Sequence, residues 1–270
     1  MEQPSESLEQ DDSEPWTTAG IRDCWLGGSH HTATEYDLAE RILVGTPYLP
    51  YLVRVYRALL RRVVNYLTGV GIRQFVDLGS GLPTQGNVHE VTQATGPGCH
   101  VIYVDNNPQV VARSQRLLPR NNEAVMVCAD LRHPEQVLSA ATQTGLLDLS
   151  APVAVLLIDI LHHVSNADNP GAFIQTYIDA LHQDSYVAIA HTDDERRDFE
   201  TGFATFRKLY QRLAPPLTFR DPKQIADLLK SLNLVEPGVV PIPLWRPEAG
   251  DDLDIAAEQF PAWCGVGRKL

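Results

Sequence analysis

The sequence predicts an α/β fold: a doubly wound, mostly parallel seven-stranded sheet with an antiparallel edge pair and a helical N-terminal cap. Three observations carry this expectation. From Gln74 onward, short apolar segments alternate with segments of helical spacing, the rhythm of right-handed crossovers in a parallel sheet. The first apolar segment breaks at once into glycines, in "FVDLGSGLPTQG". The last two have only a loop between them, which favours antiparallel pairing at an edge.

The elements follow in order. Residues 1–15 hold six acidic residues and no basic one, half of the chain's net charge of −12, and read as a disordered tail. Residues 16–70 read as the cap: a short helix, a break at Gly27-Gly28, a second helix, then a long one. That long helix sets Leu52, Tyr56, Leu59, Leu60, Val63, Val64 and Leu67 on one face. Its arginines, Arg54, Arg57, Arg61 and Arg62, read either as an anion site or as the solvated face of the helix, and the solvated face is the expectation. Residues 71–270 form the main domain. "QFVDLGS" is its first strand, and a helix is expected to open at Pro83, proline being favoured in a first turn. "HVIYVDN", "EAVMVCAD", "PVAVLLIDIL" and "SYVAIAHTD" are the next four strands, with helices between them. "PVAVLLIDIL" is the most apolar and is expected at the centre. Helices over 198–213 and 222–232 precede the last two strands, "NLVEPGVVPIPLW" and "AWCGVGRKL".

Composition narrows the class. With 44% hydrophobic and 21% charged residues the chain has the make-up of a soluble globular protein. It shows neither a membrane-length apolar run nor a signal-peptide pattern, so the expected location is the cytoplasm. The acidic balance gives no electrostatic reason for a nucleic-acid partner. Cys24, Cys99, Cys128 and Cys264 form no Cys-x-x-Cys pair, so no zinc site is expected, and Cys99 and Cys128 read as inert core thiols.

Chemistry is expected at the carboxyl ends of the strands, where open parallel sheets bind ligands. Four strands end in acids: Asp77, Asp105, Asp130 and Asp159. Asp105 follows Gly81 by 24 residues, near the offset of a ribose-binding carboxylate; the alternative is a turn or helix-capping role before Pro108. Asp130 either accepts from an adenine amino group or serves the turn "ADLRHP". A pyrophosphate cofactor asks for G-x-G-x-x-G, but Thr84 stands at the third place and Asp77 two residues before the first. A carboxylate there repels phosphate and suits a cation. S-adenosylmethionine is such a ligand, an adenosine bearing an ammonium and a sulfonium.

At these residues the chain resembles class I S-adenosylmethionine-dependent methyltransferases, in "VDLGSG", "VDNNP", "CADLR" and "IDILHHVSN". With "WLGG" near the start and "EPGVVPIPLWRP" and "AWCGVGRK" near the end, it is similar to a bacterial methyltransferase family of undefined substrate over residues 16–270. The resemblance implies a methionine end near Asp77, Gly79, Ser80 and Gly81, and a ribose on Asp105 beside Asn106. It implies adenine at Asp130 and Leu131, with Asp159 and Ile160 beside the sulfonium. His162 and His163 are either loop supports or acid–base groups; His191 and the cap's Tyr36 complete the catalytic candidates. Trp25, Leu26 and Tyr36 either cover the cleft or merely pack at the sheet edge. No His-Glu-x-x-His pattern suggests a metal. The expected partner is a small-molecule methyl acceptor. The rivals are a non-catalytic S-adenosylmethionine-binding protein and an NAD-dependent reductase, for which the chain lacks a Tyr-x-x-x-Lys pair.

Overall fold

Strands β1 (Gln74–Leu78), β2 (His100–Asp105), β3 (Ala124–Cys128), β4 (Ala154–Ile158) and β5 (Tyr186–Thr192) lie parallel in the computed structural model. It describes residues 16–96, 98–119, 123–193, 217–249, 251 and 257–270. The expected tail over 1–15 and the helix over 198–213 fall outside these residues. β8 (Ala262–Arg268) pairs antiparallel with β5 along seven residues. Beyond β8 lie two short strands, β6 (Asn233–Leu234) and β7 (Val240–Pro241), both antiparallel to it. The order β3-β2-β1-β4-β5-β8-β6 reverses direction of growth between β1 and β4. That switch point is where a crevice opens.

Strands buried on both faces need cover on both. Phe75, Tyr103, Met126 and Leu156 turn to a layer holding α3 (Leu49–Gly69) and α4 (Val88–Thr95). Val76, Ile102, Val155 and Leu157 turn to the opposite layer, with α6 (Pro134–Gln143), α7 (Pro170–Ala180) and α8 (Pro222–Leu228). α5 (Pro108–Leu117) follows β2 and packs through Val111 on the first layer. Successive strand residues alternate faces, so Asp77 shares the face of Phe75 and meets α3.

Several expectations change. The helix after β1 starts at Val88, not Pro83. Gly86 takes a left-handed φ of 57°, and Glu90 reaches back to accept from the amides of Gly86 (2.7 Å) and Asn87 (3.3 Å). The intervening residues are therefore loop. "NLVEPGVVPIPLW" is not one strand: Pro237 and Gly238 interrupt it, with a Gly238-to-Val235 backbone turn at 2.8 Å. Cys99 is buried, but Cys128 is exposed at the end of β3. The α3 arginines are not all solvated. Arg62 is buried and donates to the carbonyls of Trp245 (3.0 Å) and Ile242 (2.8 Å) and to Asp251 (2.5 Å), while Arg57 faces the crevice.

Ahead of α3, helices α1 (Thr18–Trp25) and α2 (Ala33–Gly45) converge on Glu35, which is fully buried. Its oxygens accept from the Thr17 amide (3.0 Å) and hydroxyl (2.6 Å) and the Thr32 amide (2.8 Å). Arg113 of α5 closes the cluster with two bonds, at 2.8 and 3.0 Å. Burial alone would raise the Glu35 carboxyl; the Arg113, Thr17 and Thr32 hydrogen bonds hold it below the usual range. Gly20 makes room, since a Cβ there would lie 2.0 Å from the carboxylate. One carboxylate thus ties the N-terminal helices to the helix that follows β2. Glu35→Ala should cost about 3 kcal/mol, the lower end for breaking a buried pair because Arg113 keeps partial contact with water. Urea unfolding measures it, and a loss below about 1 kcal/mol would mean that apolar packing alone holds these helices.

Candidate functional site

A cavity of about 650 Å³ opens at the carboxyl ends of β1 to β4. α1 and α3 wall one side with Ile21, Trp25, Val53, Tyr56 and Leu60. The volume suits a small-molecule ligand. The sheet contributes Asp77, the Gly79-Ser80-Gly81 turn, Asp105, Asn106, Asp130, Leu131, Asp159 and Ile160, so the strand-end residues singled out from sequence all come together.

The glycine turn is fixed by its surroundings. Gly79 and Gly81 have φ of 70° and 65°, a region that L side chains avoid. A Cβ on Gly79 would lie 2.1 Å from the Ile160 side chain, and one on Gly81 would lie 3.3 Å from Ala19 of α1. Asp105 holds the turn, accepting from the Gly81 amide (3.1 Å) and the Asn107 amide (2.9 Å). Its carboxyl is pushed up by burial, against the pull of those amides.

Asp77 is buried, and its carboxylate hydrogen bonds to no described residue. Burial pushes its carboxyl up to about 7, the Arg57 guanidinium opposes, and Asp105 adds to the rise. Asp159 takes a left-handed φ of 60° and pairs with Arg22 of α1. Burial raises its carboxyl, while Arg22 and Arg57 oppose. Asp130 is engaged by the side chain of Arg132, with bonds at 3.0, 3.1 and 2.6 Å, and its carboxyl is held low mainly by them. Arg22, Arg57 and Arg132 also line the cavity, Arg57 in place of the solvated face expected for it; nothing local in the sequence distinguishes Arg22 and Arg132 from surface arginines.

Burial depresses the basicity of the candidate histidines. The rings of His162 and His163 lie 4.2 Å apart, and His162 stands 3.5 Å from Asp159, too far for a good hydrogen bond. Burial pushes His162 well below its ordinary value and His163 down to about 4. His191 lies behind His162, fully buried and away from the cavity lining, at about 3 through burial and the nearby Arg220. Imidazoles so depressed are weak bases at neutral pH. Tyr36 is displaced: it is about half exposed, stacks on His31 at 5.7 Å and does not line the cavity. Leu26 does not line it either, whereas Trp25 does. His30 and His31 instead hydrogen bond to Asp23, at 2.8 and 2.9 Å.

Over residues 2–270 the sequence matches the S-adenosyl methyltransferase family. The chain belongs to that family. Two solved structures are similar along almost the whole chain. One, from Thermobifida fusca and assigned as a methyltransferase, is 32% identical with a TM-score of 0.84, over 96% of each chain. The other, a DUF574 family protein from Streptomyces avermitilis, is 31% identical with a TM-score of 0.86, over 94% of this chain and 98% of that one. The plantazolicin methyltransferase BamL, solved with a triazolic desmethylPZN analogue and S-adenosylhomocysteine, shares the fold at 14% identity and a TM-score of 0.53, over 93% of this chain and 95% of that one. No protein of curated function matches the chain.

The cofactor of this family is S-adenosylmethionine, and the cavity fits it. The glycine turn leaves a cradle that a side chain at Gly79 would fill. Among the described residues, Ser80 Oγ, Trp25 Nε1 and His162 Nδ1 are buried at the cavity without hydrogen-bond partners, as groups awaiting a ligand are. α4 begins seven residues beyond Gly81, so no helix N-terminus stands directly behind the turn to hold a pyrophosphate. The reductase reading is overturned by the family match. Gly79→Val should abolish S-adenosylhomocysteine binding in calorimetry through the clash with Ile160 and the strained φ, and NADH should bind neither form. Micromolar NADH binding to the unmodified protein would contradict this site.

Proposed function

We propose that the chain is an S-adenosylmethionine-dependent methyltransferase acting on a small-molecule acceptor. The observation that supports this best is a single cavity carrying strand-end carboxylates on one side and the apolar faces of α1 and α3 on the other. When bound, the cofactor supplies a methyl group already activated on a sulfonium. In this reading Asp77 pairs with the ammonium of its amino-acid end, with Gly79, Ser80 and Gly81 passing close beneath. Asp105 accepts from the ribose hydroxyls, with Asn106 alongside. Asp130 and Leu131 flank the adenine, Asp130 through lone pairs left over from Arg132. Asp159 and Ile160 border the reacting end, and the N-terminal helices exclude water there.

Catalysis then rests mainly on placing the acceptor in line. The depressed histidines are weak proton acceptors at neutral pH and so fit an acceptor whose attacking atom is already unprotonated. Incubation with S-adenosylmethionine and a metabolite mixture separates enzyme from binder. Release of S-adenosylhomocysteine in step with one methylated product is expected; tight binding without release would favour a non-catalytic binding protein.

Asp77 makes cofactor binding pH-dependent. Its carboxyl titrates near 7, and only the carboxylate attracts an ammonium. Affinity for S-adenosylhomocysteine should therefore rise as pH increases through about 7 and level off above, with proton release on binding below that point. Calorimetry in buffers of different ionisation enthalpy reads both. Asp77→Asn should flatten the profile, and an unchanged slope would contradict the assignment.

A further inference from the structure

α3 carries one cation that its neighbours leave underused. Arg57 sits on the helix face turned to the sheet, and its Nη1 donates to Asn87 Oδ1 at 2.6 Å. That is its sole hydrogen bond among the described residues, so four of its five N–H groups are uncommitted. Burial and the adjacent Arg22 guanidinium push its pKa down, and Asp77, Tyr103 and Glu90 oppose. A guanidinium desolvated in this way gains strongly from an anion placed against it. Arg22 differs in that its charge is already paired with the Asp159 carboxylate, whereas Arg57 bonds only a neutral amide oxygen.

The loop after the glycine turn is shaped around this side chain. Gly86, with its left-handed φ of 57°, turns the loop beside the Arg57 stem, where even a Cβ would lie in ordinary contact at 3.5 Å. Asn87 presents its carbonyl oxygen to Arg57, while its amide nitrogen, Nδ2, is buried without a partner. Arg57, Asp77 and Gly79 all line the cavity. A buried carboxylate with no hydrogen bond among the described residues and a half-buried guanidinium with spare donors thus stand on one side of the ligand space. Together they form a receptor for a zwitterion.

We infer that Arg57 binds the α-carboxylate of the cofactor's amino-acid end while Asp77 binds its ammonium, so that the cavity selects adenosyl ligands carrying an intact amino acid. The inference rests on the reading that S-adenosylmethionine occupies this cavity, and it adds a binding residue outside the strand-end set. It also assigns work to the extended loop over 82–87: positioning a guanidinium in place of holding a phosphate. The short charged groups of the ligand meet opposite charges on two different elements, α3 and β1. Its orientation along the crevice is thereby fixed from one end.

Calorimetry on the full chain tests it with two ligands, S-adenosylhomocysteine and 5′-methylthioadenosine, which lacks the amino-acid end. Arg57→Gln should weaken S-adenosylhomocysteine binding by about 10- to 100-fold and leave methylthioadenosine binding within about twofold. Equal losses for both ligands, or no loss for either, would overturn the role of Arg57. Failure of the unmodified protein to bind either ligand would instead overturn the cofactor site itself. A ligand-side comparison needs no variant: S-adenosylhomocysteine without its carboxylate should bind the unmodified protein about as much more weakly as the Arg57→Gln variant binds the intact ligand. Equal affinity for the two forms would contradict the inference even if that variant failed to fold.

Discussion

A carboxylate on the central strand of a sheet, buried and without a hydrogen bond, must be matched by charge from elsewhere. Asp77 is that group. β1 lies between β2 and β4, so its side chains have no route to bulk water except through the crevice at the switch point. The alternation of the strand directs Asp77 toward α3, where Arg57 supplies partial compensation. What Arg57 leaves uncompensated keeps the carboxyl high. This explains why the first strand of the sheet ends in an acid followed by two glycines. The backbone must leave space where the charge is, and a side chain at Gly79 would occupy it.

A second charge pairing sets the other wall. Asp159 follows β4, borders the same crevice and is paired with Arg22. Arg22 is placed by α1, and α1 is placed by Glu35, whose carboxylate joins Thr17, Thr32 and Arg113. The arrangement forms a chain of buried carboxylate–arginine contacts running from α5 through the N-terminal helices to the end of β4. Buried pairs of this kind give geometry more than stability. Here they position an apolar wall, with Ile21 and Trp25, against the glycine turn.

Much of this was legible in the sequence, for physical reasons that differ by element. Strands buried on both faces appear as unbroken apolar runs, so β1 to β5 and their acidic ends could be read directly, and the missing third glycine argued for a cation over a phosphate. The helix start at Pro83 was misread because Glu90 acts backward from three residues inside the helix and Gly86 acts through its conformation, neither of which the local proline signal reveals. Arg57 and Arg62 read more as a solvated face than as an anion site, and Glu35 carried no signal, for a different reason. Their partners lie 30, about 180 and 78 residues away in sequence, at Asn87, at the Ile242 carbonyl and at Arg113. A charged residue at helical spacing reads as solvated until the fold brings its partner in. Tyr36 failed in the opposite direction: the bend at Gly27 and the His30–His31 contacts with Asp23 turn α2 so that it stacks on His31 outside the cavity.

The central claim is that charge on β1 and α3 orients the cofactor from its amino-acid end. A crystal structure of the full chain with S-adenosylhomocysteine tests it most directly. The expected result is an ammonium against Asp77, a carboxylate against Arg57 and a ribose on Asp105. A ligand reversed in the crevice, with its amino-acid end toward Arg132, would contradict it, as would an amino-acid end touching neither Asp77 nor Arg57.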